Sequence, residues 1–460
     1  MSSEVRQIRV GKRAFAWLAA GLLPAVFAAP QDAALGTLAV DLLLLSLFLY
    51  DALRLRAAQL SVERELASRL RVGAPAQVRL HVQNRSGIFL RASVRDQLPE
   101  TLHTSCEIHQ AALPPGKRRE LNAELTPTAR GSLSLGRVAL RLETRLGLAA
   151  VHLMAGDAQE VRALPALPLD EEAQRARREE LGGMAQKLRR ATQGSELESL
   201  REYVSQDPLR SIDWKATARR HRPVTRLYQP ERSQTLWLVL DASRTMGQPV
   251  GEKPVLSSSH RAGPATDSTL KVLKSRFDVA VEAALALADA ALHAGDQVGL
   301  MVYADSCLSL VPPAHGRRHL MRLVDALSEA QARPVHFAVR SLLTDLERHA
   351  RKRSLITLFT DLENETHGSA VCEHAPMLTR RHLAVCVSLQ DMHVQKRANV
   401  LPSTTAEVFH KAAAIDLLSE RERLERSLEK RGVSVLEADV RGLAPKLLDH
   451  YLKVKLTARL

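Results

Sequence analysis

The sequence predicts a multidomain chain: an N-terminal transmembrane helical hairpin, a small antiparallel β-sandwich, then an α/β doubly wound parallel sheet. Three observations carry that prediction. Two apolar runs lie near the start, at residues 14–29 and 33–50. An alternating apolar and polar pattern, of period near two, fills residues 59–162. From Thr235 onward, continuous apolar runs alternate with stretches of helical period. The chain has 460 residues, 45% of them apolar, which is enough for two to four domains with ordinary cores and excludes a disordered chain. The expected divisions are 1–56 (membrane anchor), 57–165 (β-sandwich), 166–232 (charged connector and signature segment) and 233–460 (α/β domain).

The anchor is read from length and charge. Residues 33–50 would span about 27 Å as a helix, close to the hydrocarbon thickness of a bilayer. Arg6, Arg9, Lys12 and Arg13 precede the first run, and Arg54 and Arg56 follow the second. The short turn between them, around Pro30, Gln31 and Asp32, has no cation. Positive residues on both outer flanks predict two spans in the inner (cytoplasmic) membrane, with both ends and the bulk of the chain cytoplasmic. On this reading much of the positive charge faces anionic membrane lipid. Asp41 in the second run costs roughly 2.5–3.5 kcal/mol on insertion scales and is read as a protonated or tilted residue of the hairpin.

In the β region, Val78, Leu80 and Val82 alternate with polar neighbours. So do Leu121, Ala123 and Leu125, and again Val138, Leu140 and Leu142. Turn sequences separate these runs: Asn84-Arg85-Ser86-Gly87, Pro114-Pro115-Gly116 and Arg130-Gly131. Short alternating strands with such punctuation predict a sandwich. Residues 170–190 mix both charge signs and read as a solvated helical connector.

The C-terminal pattern is different. Residues 235–240, 298–303, 355–360 and 383–387 are apolar runs suited to parallel strands covered on both faces, and 433–438 reads as a last strand. Helical segments are expected at 274–293, 320–330, 338–350, 406–431 and 443–452. Strands alternating with helices give the doubly wound sheet, whose sites form at the carboxyl ends of strands.

Two of those strands end in Asp. One end reads Asp241-Ala242-Ser243-Arg244-Thr245, the other Thr360-Asp361-Leu362. A carboxylate and two hydroxyls at alternating positions of one tight loop can face one hard cation, and Asp361 can hold one of its waters. The same pattern is also ordinary turn and N-cap chemistry. The polar stretch at 247–274 leaves the same rim and is read as a mobile loop over this face, or as a surface insertion.

The loop at Asp241 resembles the DxSxS metal-ion-dependent adhesion site of von Willebrand factor A-type domains, with Asp361 as that site's later Asp. Upstream, residues 194–203 lead to Asp207-Pro208-Leu209-Arg210-Ser211-Ile212-Asp213-Trp214-Lys215-Ala216-Thr217-Ala218-Arg219. This tract resembles the signature of domain-of-unknown-function family 58, whose plan of two spans, a small β domain and a von Willebrand factor A-like domain covers nearly the whole chain. The resemblance implies Mg2+ held by Asp241, Ser243, Thr245 and Asp361. It also implies a partner AAA+ ATPase of MoxR type in chaperone-like assembly or metal insertion. There are three departures. Gln206 stands where the family has Gly, and Thr245 replaces a Ser. The loop expected to supply a Thr ligand reads Arg333-Pro334-Val335-His336-Phe337, without a hydroxyl. His336 there suits a softer ion than Mg2+.

The signature residues Arg201, Tyr203, Asp207, Arg210, Asp213, Trp214 and Arg219 are read as an ion-pair lattice that locks the segment onto the α/β domain, or as a docking surface for an acidic partner. The net charge of +14, from 65 basic and 51 acidic residues, leaves nucleic acid, lipid or an acidic protein open. Aromatics at 3% and the lack of a groove-reading motif count against nucleic acid, so none is expected as a partner. The sequence has no phosphate loop, HExxH or GxSxG. The four scattered cysteines exclude a disulfide scaffold, and Cys372-Glu373-His374 is too short a cluster for a metal site. The expected function is therefore a non-enzymatic interaction or scaffold protein. The alternatives are a metal-dependent hydrolase using Asp241 and Asp361, or a structural envelope component with an inactive metal site.

Overall fold

The computed structural model describes residues 7–11, 30–106, 108–165, 196–204, 212–229, 234–250, 274–362, 365–390, 392–440 and 442–456. The chain forms two compact units, Met1–Leu164 and Pro165–Leu460.

The first unit holds β1 (Gln7–Val10), α1 (Pro30–Arg56), β2 (Leu60–Glu65), β3 (Arg69–Arg71), β4 (Ala76–Asn84), β5 (Leu90–Asp96) and β6 (Leu102–Thr104). It continues with β7 (His109–Leu113), β8 (Arg118–Pro127), β9 (Gly131–Leu135), β10 (Val138–Glu143), β11 (Ala149–Ala155) and β12 (Gln159–Leu164). The sheets run β1-β11-β10-β5-β7, β2-β4-β8-β6 and β3-β12-β9. The alternating residues behave as their period requires: Val78, Leu80, Val82, Leu125, Val138, Leu140 and Leu142 share one buried core. Asn84 ties the first turn, donating through Nδ2 to the carbonyls of Ile88 (2.8 Å) and Leu113 (2.9 Å).

The N-terminal transmembrane hairpin is not supported, and with it go the two spans and the inner-membrane placement drawn from them. Among the described residues, no helix is long and apolar enough to cross a membrane. The first expected run lies outside the described residues. The second lies in α1, where two features oppose a span. Asp41 interrupts the apolar run and is exposed. The last turns of α1 belong to the β-rich unit, because Ala52 and Leu55 enter its core. Asp51, 1% exposed, accepts hydrogen bonds from the Thr144 hydroxyl and from the amides of Leu148 (3.1 Å) and Ala149 (3.0 Å). Strand β1, placed by the sequence reading in the anchor, instead pairs antiparallel with β11 in that unit.

The second unit opens with β13 (Glu196–Glu202), α2 (Trp214–Arg220) and β14 (Val224–Gln229). It then holds β15 (Thr235–Asp241), α3 (Arg276–His293), β16 (Gln297–Tyr303), β17 (Cys307–Ala314), α4 (Arg317–Glu329) and α5 (Val339–His349). The rest is β18 (Leu355–Phe359), α6 (Glu365–Thr379), β19 (Leu383–Leu389), α7 (Met392–Asn399), α8 (Thr405–Lys430), β20 (Val433–Ala438) and α9 (Leu443–Leu456). One sheet runs β17-β16-β15-β18-β19-β20, parallel except for the edge strand β17. The doubly wound sheet is therefore present as expected, with one antiparallel edge that the apolar pattern did not announce. Cys307–Ala314 is exposed or half-buried and contains two prolines, and Pro is tolerated at an edge because no ladder donor is required there.

Trp237 and Val239 face the core formed with α5, α6 and α8. A Cβ on Gly299 would come within 2.8 Å of the Trp237 ring, so the strand beside Trp237 needs glycine at that position. A Cβ on Gly368 would meet Leu424 at 2.4 Å, so this glycine lets α6 approach α8. At the amino end of the sheet, Asp296 accepts from the Tyr451 hydroxyl and from Lys455 Nζ (2.8 Å), which fastens α9 to the strands.

Candidate functional site

The strand order reverses at β15. From there the chain passes through α3 to β16 on one side, and later returns through α5 to β18 on the other. The crevice between the carboxyl ends of β15 and β18 is thus the topological switch point, where open α/β sheets bind ligands. Asp241 ends one of these strands, and Thr360 and Asp361 follow the other.

Three loops meet there. The loop after β15 folds on itself: Asp241 Oδ1 accepts the Ser243 amide at 2.8 Å, and Ser243 Oγ lies 3.2 Å from Thr245 Oγ1. It is also stitched to residues 333–335, because the Arg244 amide donates to the Val335 carbonyl (3.0 Å) and the Arg333 amide to the Ala242 carbonyl (2.7 Å). The third loop brings Thr360, whose hydroxyl donates to Asp241 Oδ2 at 2.7 Å. Because that proton goes to Asp241, Thr360 Oγ1 presents its lone pair to His367 Nε2, 2.7 Å away, and the network assigns the ring proton to Nε2. The same nitrogen is 3.2 Å from Asp241 Oδ2. Phe337 stacks on His367 with ring centroids 5.3 Å apart.

Asp361 faces a different cation. Arg276 Nη1 lies 2.6 Å from Asp361 Oδ2, and both side chains are buried, at 7% and 6% exposure. Arg276 is held by the stem of the 247–274 stretch. The Arg276 amide donates to the Gln248 carbonyl (2.9 Å), the Phe277 amide to Met246 (2.8 Å) and the Val250 amide to Lys274 (2.8 Å). A capping box between Ser275 and Asp278 starts α3 at this point. Residues 251–273, for which a mobile loop was expected, lie outside the described residues.

The expected metal ligands Asp241, Ser243, Thr245 and Asp361 are therefore gathered at one end of the sheet. The stretch expected in place of a Thr-bearing loop, 333–337, does lie against them. It contributes Phe337 as a wall for His367, while His336 is exposed. Thr360, Arg276 and His367 were missed as site residues. Thr360 could have been found beside Asp361. Arg276 and His367 sit in separate helices, and nothing in their local sequence marks their destination.

The fit to Mg2+ was tested on these residues. The 3.2 Å between Ser243 and Thr245 oxygens is near the ~3 Å expected for adjacent ligands in an octahedron with bonds of about 2.1 Å. Charge argues the other way, and more strongly. A hard dication is held by carboxylates, and both carboxylates here are already engaged, one by a guanidinium and one by an imidazole N–H and a hydroxyl. The 333–337 stretch supplies no oxygen side chain. Among the described residues, no group of three or more His, Cys, Asp or Glu side chains could hold a metal ion. The residues present do not fit Mg2+.

Among the described residues the centre shows no activated nucleophile. Thr360 is buried with its proton on a carboxylate, and the Ser243 hydroxyl pairs with that of Thr245. Burial pushes the Cys386 thiol up to about 12 and raises Cys372 as well, so neither is a reactive thiolate.

The signature segment forms a hairpin, β13 with β14, that encloses α2. Asp213 is the N-cap of α2 and accepts the amides of Lys215 (3.0 Å) and Ala216 (3.1 Å). Thr217 Oγ1 accepts the Val224 amide at 3.0 Å. Arg201 and Tyr203 lie at the end of β13, and Arg219 is in the last turn of α2. Trp214 is 70% exposed. Asp207 and Arg210 lie outside the described residues.

At the same carboxyl end, α7 and α8 form an arm. Arg421 in α8 donates to the Leu389 carbonyl (2.9 Å) at the end of β19, and α8 begins 16 residues earlier, about 24 Å along the helix axis. In this first part Val408 and Phe409 are exposed, Phe409 at 71%, and Leu401 before it is 86% exposed.

Residues 199–253 and 257–412 match the family described as "Protein of unknown function DUF58". An uncharacterized protein of Mycobacterium tuberculosis (Rv1480) is 26% identical over 171 residues, covering 36% of this chain and 47% of that protein. An uncharacterized protein of Mycobacterium bovis (Mb1516) matches with the same identity and coverage. The chain spans about half the length of these curated relatives. Among solved structures, the CARDB domain of the PF1109 protein from Pyrococcus furiosus is 17% identical, covering 23% of this chain and 93% of that chain. Its TM-score of 0.16 is too low to carry an argument. The family match covers most of the signature hairpin, the Asp241 loop, Arg276 and Asp361 together, so it is the C-terminal region of this chain that matches the DUF58 family of proteins of unknown function.

Proposed function

We propose that this chain is a non-enzymatic interaction protein whose partner docks on the carboxyl-end rim of the α/β sheet. The observation that carries this reading is the closed hydrogen-bonded centre at the switch point. It is positioned where this fold binds ligands, and its carboxylates are engaged by Thr360, His367 and Arg276 from within the chain. The exposed apolar side chains of the arm at the same end favour a protein partner over a small molecule, since large exposed apolar groups mark association surfaces. Following the family resemblance, the partner is an AAA+ ATPase of MoxR type, and the role is chaperone-like assembly.

Affinity capture of the tagged full chain from its native cells tests this. An AAA+ ATPase is expected to co-purify. Its recovery should fall about tenfold or more with Asp241→Asn and with Phe409→Glu, at unchanged thermal stability for the exposed Phe409 change. If no ATPase is recovered with the wild-type chain, the proposed partner is wrong. If one is recovered equally with both variants, the rim is not its docking face.

A further inference from the structure

We infer that the adhesion-like centre of this chain is metal-independent, with the guanidinium of Arg276 built in where related sites would use a divalent cation. The inference concerns the same centre as the proposed docking reading and rests on that reading only for its consequence, which is that docking needs no metal.

Four observations lead to it. The motif loop retains the hydroxyl pair Ser243 and Thr245, with the spacing of adjacent metal ligands. The later carboxylate, Asp361, is in a buried ion pair with Arg276 at 2.6 Å. The motif carboxylate, Asp241, is saturated by the Ser243 amide, the Thr360 hydroxyl and His367 Nε2. The loop that should supply the third oxygen instead supplies the ring of Phe337, packed on that histidine.

Bringing in a dication would set it against a buried guanidinium. Two like charges in a site of low effective dielectric repel strongly. The chain also makes Arg276 hard to displace. Its backbone is fixed by the loop stem through Gln248, and the Ser275–Asp278 capping box fixes the helix start on which it stands. The cation is thus delivered by the fold, at the first turn of α3, rather than drawn from solution.

The test uses the purified full chain with MgCl2 and MnCl2, read by isothermal calorimetry and by thermal unfolding. A site with a Kd 100-fold below the metal concentration would raise Tm by several degrees. The wild-type chain is expected to show no heat of binding and no shift at 10 mM of either salt, a concentration of about 100 times a 0.1 mM Kd. Arg276→Met removes the guanidinium paired with Asp361 and is expected to lower Tm, with either metal restoring several degrees. Should that variant fail to fold, Arg276→Gln replaces the charge with a polar side chain, and the same metal-dependent recovery is expected. Saturable binding to the wild type that is lost in Asp241→Ala would overturn the inference. So would the absence of any metal response in both Arg276 variants, because Arg276 would then not be what excludes the ion. These readouts need no partner, so a failed co-purification leaves them intact.

Discussion

Asp51→Ala is expected to destabilise the β-rich unit by about 3–5 kcal/mol, enough to unfold a domain of ordinary stability in part. Asp51 is the last acidic residue of α1, and its carboxylate serves the Thr144 hydroxyl and the Leu148 amide in the β10–β11 connection and the Ala149 amide at the start of β11. With alanine those three donors stay buried without an acceptor, at about 1–3 kcal/mol each before relaxation. Hydrogen exchange should show the loss first at the Leu148 and Ala149 amides, followed by a lower denaturation midpoint for residues 58–164. Asp51→Asn should fall between wild type and Ala, since one carboxamide oxygen can still accept while its NH2 opposes the remaining amide donors. An Ala variant with unchanged protection would mean that the end of α1 is not part of this unit, and the main structural objection to reading α1 as a span would fall.

The second large effect is a pH dependence in the α/β unit. Arg421 donates to Glu437, lies 3.5 Å from Glu425, and also holds Ser388 and the Leu389 carbonyl. Burial raises the Glu425 carboxyl to about 8, reinforced by its hydrogen bond to Glu437 and by that neighbour's charge, with Arg421 opposing. The folded value therefore lies above the ordinary 4.5 of the unfolded chain. A group of this kind contributes stability in full below pH 4.5 and loses it as pH rises through 8. The α/β unit is expected to lose about 2–4 kcal/mol from this group between pH 4.5 and pH 8.5, after allowing for partial solvent access. Glu425→Gln, which keeps a hydrogen-bonding group without a titrating one, should flatten that slope and exceed the wild type in stability above pH 8. Denaturant titrations at half-unit pH steps measure both. A wild-type stability that climbs from pH 5 to 8 in parallel with the Gln variant would show that Glu425 is ionised in the fold.

Much of the fold was legible in order along the chain. The runs at 235–240, 298–303, 355–360 and 383–387 became inner strands because continuous apolar sequence can be buried only where both faces are covered. Strand β17 was hidden, since an edge strand with Pro312 and Pro313 carries no such run. Helix α6 was hidden too. Its sequence from Glu365 includes Gly368 and Pro376, which weaken the helical pattern. The apolar stretch at 33–50 misled for a more basic reason. Hydropathy records how much a segment would gain by leaving water, and not which surroundings take its end. In α1 it is Asp51, one residue past that stretch, that commits the helix to a β-rich core.

At the site, the local sequence was sufficient for Asp241, Ser243 and Thr245, because an Asx-type loop after a strand is closed by bonds between near neighbours. It was also sufficient for placing Asp361 at the same edge, since both residues end parallel strands. It could not decide what those carboxylates hold. Thr360 reaches Asp241 across 119 positions of sequence, and the Arg276–Asp361 pair joins a helix start to a strand end 85 residues later. Short-range periodicity and turn chemistry thus determined the parallel sheet and the rim that carries the motif. The sheet's crossover order, which sets β18 beside β15, decided that an arginine and a histidine from two different helices would meet the carboxylates there. Charge compensation in a buried centre depends on distance in space, and only the assembled fold supplies that distance.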